Sequence, residues 1–231
     1  MLEETFRRIP KDILDDTFIA DDASSDNAEA VAKKLNIDFF SHNHTGYGGN
    51  ILFGLRKAID RGADYIVEIH GDGQYDPAVI PEAIKKMEEG YDFVMGSRFF
   101  NLLDPIRDNM SFIRYFANIV LSSIARFVFR LPLTEFHSGF RVYSKKMIKT
   151  LALEKNSSGH LFSFEIIAQA HYCKLKIAEI PIHCDYHKVH TSISLTKASI
   201  FAFEMFEVFA EFLLARVFGF KTRLFRCRHL S

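Results

Sequence analysis

Residues Tyr65 to Pro77, YIVEIHGDGQYDP, run from an apolar, β-branched segment into a turn holding two glycines, two aspartates, a histidine and a glutamine. The first half reads as a strand, and Pro77 to Glu89 reads as the helix that follows it. If extended geometry persists through the turn, His70, Asp72 and Gln74 project to one side, because strand side chains alternate with period two. An imidazole, a carboxylate and an amide oxygen placed together can share a divalent cation. A plainer reading is open as well: Asp72-Gly73 makes the turn and Asp76 caps the helix beginning at Pro77. An EF-hand loop is excluded, because counting from Asp72 puts Ala83 where the closing glutamate belongs.

Outward from this stretch the same strand-then-helix pattern recurs. DTFIAD, Asp16 to Asp21, reads as a strand, followed by the helical SSDNAEAVAKKL with Ser24 or Ser25 as N-cap. DFFSH, Asp38 to His42, is a second strand. Gly48 to Arg61 carries a helical stripe of Ile51, Leu52, Leu55, Ala58 and Ile59. DFVMG, Asp92 to Gly96, follows as a fourth strand. This alternation predicts an α/β fold, Rossmann-like, with a mostly parallel sheet flanked by helices. Each strand ends in a polar cluster: Asp21-Asp22, Asn43 to Gly49, His70 to Asp76, and Ser97-Arg98. In an open parallel sheet those ends share the edge that binds ligands. Asp21-Asp22 places adjacent carboxylates at a strand end. Gly48 and Gly49 open a helix either for a ligand to approach the backbone or for tight packing.

Beyond Phe100, Phe112 to Leu131 is an apolar helix interspersed with Arg114, Arg126 and Arg130. EFHSGFRVYS is a loop entering a strand, Phe162 to Cys173 a helix, and IAEIPI a strand. The chain closes on a Phe-rich helix.

With 48% apolar residues in 231, there is ample material for a core. Lys+Arg and Asp+Glu balance at 29 each, which gives no electrostatic pull toward nucleic acid. Cys173, Cys184 and Cys227 form no CxxC pair, and reduced thiols in a cytosolic compartment are the simplest reading. The start, MLEETFRRIPKD, is charged and unlike a signal peptide. Ala198 to Phe220 carries Glu204, Glu207, Glu211 and Arg216, too many charges for a bilayer span.

DDASSDN, GYGGN, HGDGQYDP, GSRF and HSGFRVYS, in this order, resemble the family 2 glycosyltransferases of the GT-A fold, and most of all their dolichol-phosphate mannosyltransferase-like, polyprenyl-phosphate branch. The resemblance covers about Met1 to Ser194. It implies an inverting transfer of a sugar, mannose or glucose, from a GDP- or UDP-sugar to a polyprenyl or dolichyl phosphate. Residues 1–195 would form the GT-A domain and 196–231 an amphipathic helix with a basic tail. Asp22, with Asp21, would bind the nucleoside, and Gly48 and Gly49 would lie on the donor side. Asp72 would be the chief ligand of Mn2+ or Mg2+, assisted by Gln74 and His70. Arg98 would face phosphate or sugar, and Lys188 would belong to a loop closing over the donor phosphates. Glu135 stands where the family usually has an aspartate and would take its catalytic place. Ser138 and Arg141 would lie on the acceptor side, with pairing to a carboxylate the other role open to Arg141.

Two departures from the pattern matter. The family's first strand, ending in Pro-x-Tyr-Asn-Glu, has no counterpart before LEETFRRIP, which should leave two neighbouring strand edges exposed. A shortened, catalytically impaired module that binds a membrane or a partner is therefore the alternative, and a homo-oligomer stays open. His70 replaces the first aspartate of Asp-x-Asp, and as a nitrogen ligand it would favour Mn2+ over Mg2+. His183, Asp185 and His187 alternate on one strand face but fit no common zinc module. The Phe-rich helix can pack on the sheet or in a dimer, but with Lys221, Arg223, Arg226 and Arg228 after it, it suits a membrane surface better, and a peripheral place on the cytoplasmic face of a membrane is expected.

Overall fold

The computed structural model describes residues 1–186 and 195–228. In chain order its elements are α1 (Leu2–Arg8), β1 (Phe18–Asp21), α2 (Ala28–Leu35), β2 (Asp38–Ser41), α3 (Tyr47–Asp60), β3 (Tyr65–Glu68), α4 (Ile80–Glu88) and β4 (Phe93–Ser97). There follow α5 (Asp104–Arg107), α6 (Phe112–Phe129), β5 (Arg141–Ser144), α7 (Lys145–Thr150), α8 (Phe162–Tyr172), β6 (Ile177–Pro181) and α9 (Leu195–Phe218). Strand and helix alternate through the first half as the apolar periodicity predicts.

The strands divide between two sheets. β1 and β2 form a parallel pair, and a second sheet has the order β3-β5-β4-β6. β4 and β6 run parallel, but β5 is inserted antiparallel to both its neighbours, so the large sheet is mixed rather than mostly parallel. The reversal brings the HSGF loop, which precedes β5, to the edge where β3 and β4 end. Among the described residues β1 is bonded only to β2 and β3 only to β5. Helix α3 spans the break by packing against both β1 and β3.

Period-two alternation sorts the sheet's side chains into two cores. Phe93, Met95 and Tyr143 face α6, α8 and α9, where Phe129, Phe164, Phe209 and Phe212 meet. Val94, Val142 and Ile180 face α4 through Ile80, Ala83 and Met87. Each buried Phe or Leu of this kind contributes about 1.5–3 kcal/mol relative to exposure.

Four expectations change here. Neither Ser24 nor Ser25 caps α2: the helix starts later, and Asp26 Oδ1 accepts from Ala28 N at 3.0 Å. α9 is no appendage outside a 1–195 domain, because Met205, Val208, Phe209, Phe212 and Ala215 are sealed in the main core. Cys173 and Cys227 form a disulfide that fastens the C-terminal tail to the end of α8, while Cys184 is free and buried. The basic tail is partly spent on internal pairs, Arg223 with Glu165 and Glu211, and Arg228 with Glu154.

Candidate active site

Asp21 ends β1 and Asp22 follows it, and both are held by the groups around them. Asp21 Oδ2 accepts from Ser24 N at 3.1 Å and Ser41 Oγ at 2.9 Å. Asp22 accepts from Thr45 N at 2.6 Å and Gly46 N at 2.9 Å, with His44 Nδ1 at 2.8 Å. Partial burial works against both charges, but these donors outweigh it and hold both carboxyls below the usual range.

The glycines of GYGGN serve packing. A Cβ on Gly48 would sit 2.5 Å from Phe162 Cβ and 2.6 Å from the Ser157 carbonyl oxygen. The amides of Gly48 and Gly49 donate to Ser158 O at 2.7 and 3.2 Å, so they are not open to donor phosphate. The close approach is between α3 and the 157–159 loop rather than between α3 and a ligand.

In the turn after β3, Asp72 is exposed and its Oδ1 accepts from Gln74 N at 2.9 Å. Asp76 caps as expected, accepting from Ala78 N at 3.0 Å. His70 turns inward: Nε2 lies 3.3 Å from Tyr47 Oη and 3.5 Å from Glu68 Oε1. Its ring fills the space beside Gly139, where a Cβ would come within 2.5 Å of Cε1. No three His, Cys, Asp or Glu side chains form a metal-holding group among the described residues. A single exposed carboxylate still fits a cation that completes its shell with water and substrate phosphates, the usual arrangement for Mg2+ at nucleotide sites. Asp72 is the exposed carboxylate of this turn and would be the one to hold such a cation, while His70 is turned to Tyr47 and Glu68.

Arg98 and Glu135 meet as a buried pair. Both Glu135 oxygens take the guanidinium, and Oε2 also accepts from Arg98 N at 2.8 Å. Arg98 Nη1 donates to Tyr186 Oη at 2.6 Å. Burial works against the guanidinium's charge, but Glu135, Tyr75 and Tyr186 hold it well above the ordinary arginine value. Glu135 is 0% exposed, so it reaches no substrate and cannot be a catalytic carboxylate in this arrangement. Arg98 likewise points at Glu135 rather than into open space.

Ser138 and Arg141 are also 0% exposed. Ser138 Oγ accepts from Phe140 N at 3.4 Å and shapes the loop. Arg141 has Glu68, Tyr143 and Tyr47 as its electrostatic company, but its Nε, Nη1 and Nη2 have no hydrogen-bond partner among the described residues, so no carboxylate is paired with it and both roles stay open. Lys188, like His187, lies outside the described residues.

Three contributors escaped the sequence reading. Glu179 of β6 accepts from Thr134 N at 2.7 Å and Glu135 N at 2.9 Å, pinning the loop. Its signal was a lone carboxylate inside an apolar strand, and Glu68 within YIVEIH carried the same one. Tyr75 Oη accepts from Gly139 N at 2.9 Å, while its backbone bridges to Cys184.

The model of the family described as glycosyl transferase family 2 matches residues 1–152. The chain belongs to that family. A UDP-N-acetylglucosamine–dolichyl-phosphate N-acetylglucosaminyltransferase of Methanococcus voltae is 27% identical over 80% of this chain and 81% of its own length. An undecaprenyl-phosphate mannosyltransferase of Micrococcus luteus is 27% identical over 72% of this chain and 70% of its own. Glucosyl-3-phosphoglycerate synthase from Mycobacterium tuberculosis, solved with phosphoglyceric acid, superposes with a TM-score of 0.66 over 91% of this chain and 74% of that one, at 14% identity. The same enzyme solved with Mn2+, UDP and its product gives 0.65. At such identities the structures show the shared GT-A fold. This family 2 member is a glycosyltransferase with an α/β core of mixed sheets flanked by helices.

Proposed function

We propose that this glycosyltransferase moves a sugar from a nucleotide-sugar donor to a polyprenyl phosphate at a membrane surface. The observation that carries the reading is that the turn presenting Asp72 is fastened through Tyr75 to the Ser138-Gly139 loop, beside a broad exposed apolar face. Directly after Arg98 the chain offers Phe100, Leu102 and Leu103 to solvent, and α6 adds Phe112, Ile113 and Phe116. A contiguous apolar patch of that kind marks a lipid or partner surface. α6 is long and apolar enough to cross a bilayer, yet Ala125 and Phe129 seal it to the core, which supports a helix lying in the interface. The protein would sit peripherally on a membrane surface.

The relatives' names support the acceptor class: both act on a polyprenyl-type phosphate. UDP in one relative's name and in the Mycobacterium complexes supports a UDP-sugar, while the mannosyltransferase keeps GDP-mannose and mannose in play. An acceptor phosphate oxygen is already anionic at neutral pH, so it needs no strong general base. It bonds to the anomeric carbon from the face opposite the nucleoside diphosphate, which departs with the electrons of the broken bond, inverting the centre. A bound Mn2+ or Mg2+ would neutralise the leaving diphosphate. Asp72 would hold that ion, Asp21 and Asp22 would shape the nucleoside rim, and the buried Arg98–Glu135 pair would fix the acceptor loop.

The test offers the full chain polyprenyl phosphate in vesicles, either cation, and labelled UDP-N-acetylglucosamine, UDP-glucose or GDP-mannose. One donor should label the lipid, and Asp72→Ala should slow it by roughly 100-fold or more. A folded chain that labels no lipid with any donor would refute the reading and favour a non-catalytic module.

A further inference from the structure

Beside the acceptor loop lies a cavity of about 280 Å3 that no step above uses, lined by Phe99 and Leu102, by Ile119, Ser122, Ser123 and Arg126 of α6, and by Thr134. It falls just under the ~300 Å3 at which ligand pockets usually begin, so it suits a short length of chain rather than a whole lipid. Adjacent serines within the apolar run IVLSSIARF make the room, since larger neighbours there would close it. Ser122 is 3% exposed and its Oγ has no partner among the described residues. A buried hydroxyl left so is a cost that packing alone does not explain.

The lining is of two kinds. Thr134 Oγ1 meets Ser97 Oγ at 2.6 Å, one residue before Glu135. Arg126 is exposed, with Nε donating to Leu133 O at 3.0 Å and no acidic partner among the described residues. Leu102, 57% exposed, belongs to the exposed apolar face. A lining that joins a guanidinium and hydroxyls to apolar side chains matches an anionic headgroup carrying a hydrocarbon tail. A soluble sugar phosphate would leave the apolar walls unused.

We propose that this cavity seats the isoprenoid carbons next to the acceptor's phosphate, with Ser122 and Ser123 providing the space and Arg126 meeting the phosphate. The inference rests on the polyprenyl-phosphate reading above and adds the place where the chain is gripped.

The protein has no tryptophan, so Leu102→Trp installs a sole reporter in the cavity's lining. Titration with farnesyl phosphate should give a saturable blue shift, and farnesol should bind at least tenfold more weakly. Ser122→Leu in the same background should weaken farnesyl phosphate at least tenfold. Because Ser122 is buried, the exposed Ser123→Leu serves as a second filling variant for which folding is not at issue. Identical titrations in both filled variants, or no saturation in the parent, would overturn the proposal. The function and the cavity fail separately. Saturable binding lost on filling, in a chain that transfers no sugar, upholds the cavity and sinks the transferase reading. Sugar transfer to farnesyl phosphate with an unchanged acceptor KM in both filled variants does the reverse.

Discussion

Glu135 illustrates what a single carboxylate does when it has no exposed surface. Both its oxygens are committed to Arg98, so removing it strands a buried guanidinium. Glu135→Ala should cost about 3–5 kcal/mol in urea unfolding, and a loss below about 1 kcal/mol would show the pair to be dispensable. His137 gives a second prediction. Burial, with Arg98 and Arg141 adding repulsion, drives its imidazole down to about 3. Below about pH 6.5 the unfolded chain binds a proton that the folded chain refuses, so stability falls as pH drops from there toward about 3. The slope from this group is at most about 1.4 kcal/mol per pH unit. His137→Phe should flatten that part of the acid limb, and equal urea-midpoint shifts in both proteins between about pH 7 and about pH 4.5 would contradict the assignment. The turn at Asp72 and the cap Asp76 were legible in sequence because turn chemistry is local. The Arg98–Glu135 contact was not, since its members stand far apart in the chain and either alone reads as a ligand contact.

Among the elements, α6 and α9 each divide their apolar residues between core and solvent. Both have apolar positions all round, and composition cannot say which side a neighbour covers. Packing buries Phe209 and Phe212 of α9 and Phe129 of α6, and leaves Phe203, Phe206 and Phe218 of α9 and Phe112 and Phe116 of α6 in solvent. The tail after α9 is held by the Cys173–Cys227 disulfide, which spans 54 residues. By the chain-entropy argument that cross-link is worth about 4 kcal/mol. Cys173→Ala, or reduction of the full chain, should lower stability by about that amount in denaturant titration. A reduced protein as stable as the oxidised one would show that Arg223, Arg228 and the core contacts hold the tail unaided. Three cysteines could not reveal this pairing, because which two approach depends on where α8 ends relative to the tail.

At the scale of the molecule, the α/β order was readable because strand ends, helix caps and apolar periodicity are local signals. The sheet's division and the antiparallel β5 were not, since pairing direction follows from long-range register. The GYGGN glycines were ambiguous for a related reason: only the packed fold shows that the 157–159 loop occupies the space above them. Tyr75 shows how such long-range contacts bear on function. Its hydroxyl accepts from Gly139 N in the loop before β5, while its backbone bridges to Cys184 beside the donor turn. The Asp72 turn and the Ser138-Gly139 loop thus share one fastening. A donor that orders its own side would lower the entropic cost of ordering the other, and reciprocity requires the acceptor to strengthen donor binding by the same factor.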